Sequence, residues 1–177
     1  MGTPHLYGQA LRKRWGQSLG QWLYLAQKQP TQKVTMTTHG KIGMIGIGMM
    51  GHGIASNLLK HGHPLTVLAH PGNQPLDALL SAGARTVSSA QALAEQADVI
   101  ILCVTGSPQV EAVLLGEQGV LQGLKAGSIV IDCSTAIPTS TEKIAAQVQA
   151  HGGRFLDAPM TRTPKEAAEG RLNLLVG

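Results

Sequence analysis

The chain contains 177 residues, 43% of them hydrophobic, which is enough for one domain with a buried core. Its longest apolar runs, such as 99–104, are much shorter than the roughly 18 residues of a membrane span. The net charge is +4, but both Trp and both Tyr precede residue 25, outside the patterned part of the chain, so basic and aromatic residues are not interleaved. We therefore expect a cytoplasmic protein that binds neither membranes nor nucleic acid.

The cysteine and histidine pattern predicts no disulfide and no metal site. Cys103 and Cys133 have apolar neighbours and no CxxC pairing, which is typical of buried, reduced thiols. The His-Gly-His segment at 61–63 is explained as a helix-to-strand turn with its glycine as the C-cap. With His70 it could suggest metal ligands, but we do not predict a metal there.

Residues 1–35 differ in composition from the rest, being rich in Gln and basic residues, and we place a domain boundary near Met36. We expect a partly helical or disordered extension, because apolar residues recur there about every four positions: Tyr7, Leu11, Trp15, Leu19 and Trp22. An acid-free segment of this kind can be an organelle presequence or a membrane-surface helix. We favour upstream sequence translated from an early start codon, because no apolar h-region or cleavage signal is evident.

From residue 41 onward, strand-like and helix-like segments alternate, which predicts an α/β fold with a doubly wound, mostly parallel Rossmann sheet over 36–177. The predicted strands are 41–47, 65–69, 85–87, 98–104, 128–132, 154–156 and 172–176, the last two closing the sheet. The predicted helices are 51–60, 76–82, 91–96, 107–115 and 140–151.

The segment GIGMMG between the first strand and first helix matches G-x-G-x-x-G in the βαβ setting that this motif requires. Gly46 permits the tight turn out of the strand, Gly48 lets the backbone approach phosphates, and Gly51 lets helix and strand pack closely. The helix N-terminus attracts the pyrophosphate of a dinucleotide. The predicted phosphate-binding residues are Gly46, Ile47, Gly48, Met49, Met50 and Gly51.

The end of the second strand bears on the choice between NAD and NADP. The motif calls for an Asp or Glu about 20 residues on, which binds the ribose 2′-hydroxyl, but 67–73 contains no carboxylate. The prediction is NADP or NAD, with a slight preference for NADP. His70 is a candidate donor to the 2′-phosphate or a neighbour of the adenine, and equally it is an exposed turn residue.

Three loops leave the carboxyl ends of later strands, where ligands bind in open α/β sheets: 104–106, 134–135 and 159–163. Their small hydroxyl residues can bind the nicotinamide ribose or carboxamide, or they can cap helices. For Ser107 and Ser140 we predict capping.

Four segments in order carry a family resemblance: GIGMMGHGIASNLLKHGH, DVIILCVTGSPQVEAVLLGEQGV, IVIDCSTAIP and FLDAPMTRTPKEAAEGRLNLLVG. They resemble the β-hydroxyacid dehydrogenase family, which includes 3-hydroxyisobutyrate dehydrogenase, tartronate semialdehyde reductase, sulfolactaldehyde reductase and the N-terminal domain of 6-phosphogluconate dehydrogenase. The resemblance covers about 41–177 and implies that Val104, Thr105 and Thr135 line the cofactor site together with the glycine loop.

The same resemblance implies that Thr161, Arg162 and Thr163 replace the family's substrate-binding Ser-Gly-Gly, which follows D-A-P. This departure places a guanidinium where relatives hold the acidic group of the substrate, and Arg can bind a carboxylate, sulfonate or phosphate in bidentate fashion. We therefore expect a small anionic hydroxy acid or aldehyde as substrate. The alternative is an ordinary surface Arg.

Members of the family carry their catalytic lysine on a helix of a second, all-helical domain, and Lys165 in the turn after the sixth strand does not match that position. No catalytic residue is predicted within these 177 residues, and we expect cofactor binding with little turnover and a monomer, whereas full-length relatives are homo-oligomeric. The alternatives are a non-catalytic nucleotide-binding module and part of an imine reductase-like enzyme.

Overall fold

The computed structural model describes residues 40–177, so the predictions for 1–35 and the boundary near Met36 lie outside the described residues. The strands in chain order are β1 Ile42–Ile45, β2 Leu65–Leu68, β3 Arg85–Val87, β4 Val99–Leu102, β5 Ile129–Asp132, β6 Arg154–Asp157, β7 Met160–Thr161 and β8 Asn173–Leu174. The helices are α1 Met49–Lys60, α2 Asp77–Ser81, α3 Ala90–Ala94, α4 Ser107–Leu115, α5 Val120–Gly123, α6 Pro138–Ala150 and α7 Pro164–Ala168.

Six strands form one sheet in the order β3-β2-β1-β4-β5-β6. Every neighbouring pair in it is parallel, which confirms the predicted Rossmann architecture. The order reverses between β1 and β4, and ligands of open α/β sheets bind outside the carboxyl ends of the strands at such a switch point.

The core consists of two apolar clusters, one on each face of the sheet. On one face, Ile100 and Val130 pack with α3, α4, α5 and α6. On the other, Met44 and Val67 pack with α1 and α2. Strands with apolar residues on both faces are what a sheet covered by helices on both sides requires.

The last predicted strand is placed differently from expectation. Residues 172–176 do not close the parallel sheet; β8 instead pairs antiparallel with β7 in a separate two-stranded sheet. Between them, α7 turns the chain back, so that Leu175 N–H donates to Pro159 O at 3.0 Å. An apolar run indicates a strand but does not identify its partner.

The two predicted serine caps are wrong. Gly106 precedes α4, and the Ser107 hydroxyl instead accepts a hydrogen bond from Ile137 N–H at 2.7 Å. Ser140 lies inside α6, which starts earlier than predicted because Pro138 suits a first helical turn. Lys165 also lies in a helix, α7, and not in a turn.

One part of the sheet surface is only partly covered. An apolar cavity of about 320 Å³ opens over β4 and β5 on the α1 side. Its lining includes Ile54, Leu58, Ile101, Ile131, Leu172 and Leu174. Within residues 40–177, no helix is long and apolar enough to span a membrane.

Candidate dinucleotide-binding site

The glycine loop after β1 follows a path that larger residues could not take. Gly46 has φ of +92°, and a Cβ atom there would overlap the carbonyl oxygen of Cys103. At Gly51, a Cβ atom would overlap the carbonyl oxygen of Gly46 itself. These two glycines therefore let the loop turn sharply against the end of β4 and fold back over its own first residue.

Gly48 is different, because space around it is open. No atom lies within 4 Å of the position that its Cβ would occupy. It is the N-cap of α1 and supplies no side-chain acceptor to the first turn, where Met49 is 69% exposed. The helix thus presents free N–H groups and its positive dipole end to an open space, and this arrangement fits the pyrophosphate of a dinucleotide.

The loop after β2 is hydrogen-bonded to the glycine loop through Asn73, a residue that the sequence motif did not predict. Asn73 Oδ1 accepts from Ile47 N–H at 3.3 Å, and its amide group donates to Leu68 O at 2.9 Å. Gln74 N–H also donates to Ile47 O at 2.7 Å. The signal was the Pro-Gly-Asn turn, since Asn commonly bonds nearby backbone in turns.

His70, which lies exposed in this loop, has one ring nitrogen already engaged. Its Nδ1 accepts from Gly72 N–H at 3.0 Å. In the neutral ring the proton is then on Nε2, which remains the donor available to a ligand. A cleft of about 270 Å³ lies beside it, lined by 68–70, 88–90 and part of 112–119.

Two buried serines hold the loops that follow β4 and β5. Ser134 Oγ accepts from Val104 N–H at 3.0 Å, and the Ser107 hydroxyl fixes Ile137 as described above. Between these two contacts, Thr105 and Thr135 are exposed. The buried serines therefore position the loops, and the threonines predicted to contact the cofactor are presented on the surface.

Asp132, at the end of β5, is fully buried and was not predicted. Its Oδ1 accepts from Ser134 N–H at 2.9 Å, while Oδ2 has no hydrogen-bond partner among the described residues. Burial raises the pKa of Asp132, opposed by hydrogen bonds from Ser134, and Asp157 raises it further. A carboxylate in an otherwise apolar β-strand was the available sequence signal.

The two cysteines flank this carboxyl and are free thiols. Burial raises the pKa of Cys103 to about 11 and that of Cys133 to about 12. Both are therefore protonated and unreactive at neutral pH.

The predicted substrate loop, 161–163, lies exposed before α7. Arg162 has φ of 88° and is the one non-glycine residue of 40–177 with positive φ. Thr163 N–H and its hydroxyl both donate to the carboxylate of Glu166, an arrangement that caps α7. The side chains of Arg162 and Thr161 are exposed and take no part in this cap.

Contacts between α7 and α1 bring the loop 161–163 to the N-terminal end of α1. A Cβ atom at Gly53 would lie 2.7 Å from the backbone of Ala167, and Asn57 donates to the Ala167 and Ala168 carbonyls at 2.9 Å. As a result Pro164 lines a cleft with Met49 in the first turn of α1.

The sheet order, the glycine loop and the uncapped N-terminus of α1 define a Rossmann-type dinucleotide-binding domain. Residues 41–177 match the family described as the NAD binding domain of 6-phosphogluconate dehydrogenase, and the chain belongs to that family. The predicted membership of the hydroxyacid dehydrogenase and reductase group is confirmed for this domain.

Two curated relatives come from Escherichia coli strain K12. The chain is 40% identical to 2-hydroxy-3-oxopropionate reductase over 137 residues, covering 77% of this chain and 46% of the relative. It is 39% identical to 3-sulfolactaldehyde reductase over 136 residues, covering 77% and 45%. The chain therefore spans about half the length of these relatives.

Solved structures show the same domain. Mycobacterium tuberculosis 3-hydroxyisobutyrate dehydrogenase with L-serine has a TM-score of 0.72 and 27% identity, covering 78% of this chain and 46% of that one. An imine reductase from Myxococcus stipitatus in complex with NAD+ has a TM-score of 0.65 at 20% identity, covering 72% and 43%, and shares the fold alone.

Proposed function

We propose that this domain binds NADP in preference to NAD and serves an oxidoreductase that acts on a small anionic 3-hydroxy acid or the corresponding aldehyde. The observation that carries dinucleotide binding is the open space over Gly48 at the uncapped start of α1. The preference for NADP rests on the lack of a carboxylate in 67–73. When bound, the cofactor supplies or accepts the hydride. This chain's part is to bind and orient it at the switch point between β1 and β4.

The remaining contacts are proposed from the glycine motif and the family resemblance. In this proposal the glycine loop, 46–51, binds the pyrophosphate. His70, whose Nδ1 is occupied by Gly72 N–H, donates from Nε2 to the 2′-phosphate of the adenosine ribose. Val104, Thr105 and Thr135 line the nicotinamide half. Their loops are held in place by Ser134 and its partners.

The preference for NADP is tested by adding the missing carboxylate. Ala69 directly follows β2, so Ala69→Asp places an acid where it would bond a free 2′-hydroxyl and repel a 2′-phosphate. We expect the affinity ratio of NADPH to NADH to fall by roughly tenfold or more, about 1.4 kcal/mol. Ala69→Asn is the uncharged control, and an unchanged ratio in Ala69→Asp contradicts the assignment.

We propose Arg162 as the residue that binds the acidic group of the substrate, with Thr161 beside it. A left-handed backbone costs a non-glycine residue about 1–2 kcal/mol, and such a cost is commonly found where function requires it. The exposed guanidinium is free to form two parallel hydrogen bonds to a carboxylate, sulfonate or phosphate. Thr163 acts through the cap on α7 that holds the loop.

Turnover requires a general acid, and we propose that a further domain of the same protein supplies it. The apolar cavity over β4 and β5, together with Leu174, Leu175 and Val176 at 49%, 60% and 64% exposure, forms a surface that suits another packed element. This apolar surface favours a domain of a larger homo-oligomeric enzyme over a stand-alone module, for which a polar surface is expected. We propose a cytoplasmic location, because the two cysteines are free thiols and form no disulfide.

The substrate assignment is tested in a protein that includes the proposed further domain. Arg162→Ala should raise KM for a small anionic aldehyde by at least roughly tenfold, the loss of one charge-assisted contact, while the Kd of NADPH stays unchanged. Arg162→Lys, the matched variant, keeps the charge but loses the bidentate geometry. Its KM should lie between those of the unmodified protein and Arg162→Ala. An unchanged KM in Arg162→Ala overturns the role of this residue.

A further inference from the structure

Two successive hydrogen bonds, made by the buried residues Asp132 and Ser134, connect the ends of β5 and β4. Asp132 is 0% exposed and its Oδ1 accepts from Ser134 N–H at 2.9 Å. Ser134 is 2% exposed, and its hydroxyl oxygen accepts from Val104 N–H at 3.0 Å. Asp132 therefore holds the backbone of Ser134, and the side chain of Ser134 holds the backbone of Val104.

We propose that Asp132 is a positioning residue for the nicotinamide half of the dinucleotide, acting through Ser134 on the loop 104–106. The proposal rests on the proposed function. Asp132 orients Ser134, Ser134 fixes the Val104 amide, and the fixed amide sets the direction in which Thr105 is presented. Asp132 itself is buried below the surface and does not contact the ligand in this assignment.

The geometry distinguishes this role from simple core packing. Asp132 stands among apolar strand residues, and one of its carboxylate oxygens has no hydrogen-bond partner within 40–177. A buried, partly unsatisfied carboxyl lowers stability, so packing alone would favour an apolar residue in its place. What the carboxyl provides here is an acceptor for Ser134 N–H at 2.9 Å, at the carboxyl end of the sheet. The raised pKa of Asp132 is the expected mark of this burial.

The chain contains a matched serine at the other end of the same strand. Ser128 is 4% exposed, and its hydroxyl donates to Ala97 O at 3.4 Å, just before β4. Ser128→Ala therefore removes a buried hydroxyl bonded to neighbouring backbone, as Ser134→Ala does, but far from the cofactor loops. It serves as the control for a general loss of stability.

The test compares two ligands that differ only in the nicotinamide. Kd is measured on the 177-residue chain for NADPH and for 2′-phospho-ADP-ribose, which keeps the adenosine, pyrophosphate and ribose parts. We expect Ser134→Ala to weaken NADPH roughly tenfold, the factor for about one hydrogen bond, and to change 2′-phospho-ADP-ribose less than about twofold. Asp132→Asn should act in the same direction by about threefold, and its effect should vanish in the Ser134→Ala background. Asp132→Ser replaces it if the Asn variant does not fold.

The outcomes are separable from those of the proposed function. If the unmodified chain binds neither ligand, the proposed function fails. If it binds both, but Ser134→Ala weakens them equally or not at all, the positioning role is wrong. The positioning role is also wrong if Ser128→Ala changes the ratio of the Kd values for NADPH and 2′-phospho-ADP-ribose as much as Ser134→Ala does. It is wrong as well if the Asp132 variants leave that ratio unchanged.

Discussion

At the amino-terminal end of the sheet the carboxylate of Asp98 is paired with a lysine, whereas at the carboxyl-terminal end the carboxyl of Asp132 is buried without a cation from the described residues. Asp98, before β4, accepts from Lys125 Nζ at 2.7 Å and from Lys41 N–H at 3.0 Å, and these bonds lower the pKa of its carboxyl. Asp132, at the end of β5, is buried with one oxygen unsatisfied, and burial raises its pKa. The first carboxylate stabilises the fold when ionised; the second destabilises it.

Other features follow the same division. At the carboxyl end, Gly48 leaves the first turn of α1 without a side-chain cap, and Arg162 has a left-handed backbone. At the amino end, α1 finishes in an ordinary glycine turn, with Gly62 at φ of 80° and His63 N–H donating to Leu58 O at 3.1 Å. Stability is therefore given up at one end of the sheet, the end where ligands bind in this fold.

Gly46 is required both for its backbone conformation and for close contact with the end of β4, so its substitution should have the largest effect on the free energy of unfolding. Gly46→Ala combines a positive φ with overlap against the Cys103 carbonyl oxygen. We expect a loss of about 3 kcal/mol in the free energy of unfolding, measured by urea denaturation. Gly40→Ala, where no atom lies within 4 Å of the Cβ position, is the control. A Gly46→Ala variant as stable as the unmodified chain would show that the loop is less constrained than described.

At Arg162, stability and binding should change in opposite directions. Arg162→Gly relieves the left-handed strain, and we expect a gain of up to about 1 kcal/mol in unfolding free energy, reduced by the greater flexibility of glycine in the unfolded chain. Thermal and urea unfolding measure this gain. Arg162→Ala keeps the positive φ and should give none, so equal stability of the two variants would argue against strain at this position.

The smallest effect on stability is expected at Asp98, the ion-paired carboxylate at the amino end of the sheet. Asp98 is about half exposed, so Asp98→Asn should cost less than about 1 kcal/mol near neutral pH and leave the Kd of NADPH unchanged. Because the folded pKa is lowered, the contribution is present above the ordinary pKa and is lost as the pH falls through the folded value. Acid unfolding curves of the two proteins should therefore converge at low pH. Curves that stay parallel to the lowest pH would refute the ion-pair assignment.

The sequence predicted the sheet and the glycine loop because both are local: alternating apolar segments and glycines at fixed spacing determine them. It did not predict the contacts of Asn73 and Ser134, which join residues 26 and 30 positions apart. It also missed Asp132, whose burial depends on the elements that cover the end of β5. The serine caps were wrong for a related reason, since Ser107 bonds a loop 30 residues away and not its own helix. The pairing of β8 with β7 was missed because α7 and the left-handed Arg162, which lie between the two strands, leave no periodic pattern of apolar residues in the sequence.

The central claim is that a dinucleotide lies over Gly48. It is tested most directly by titrating NADPH into the unmodified chain and into Gly48→Ala, with nucleotide fluorescence as the readout. A Cβ there meets no protein atom, so stability should change by less than about 1 kcal/mol, while the methyl group enters the space that the phosphates need. We predict saturable binding by the unmodified chain and at least roughly tenfold weaker binding by the variant. Equal binding by the two proteins, or none by the unmodified chain, would contradict the account.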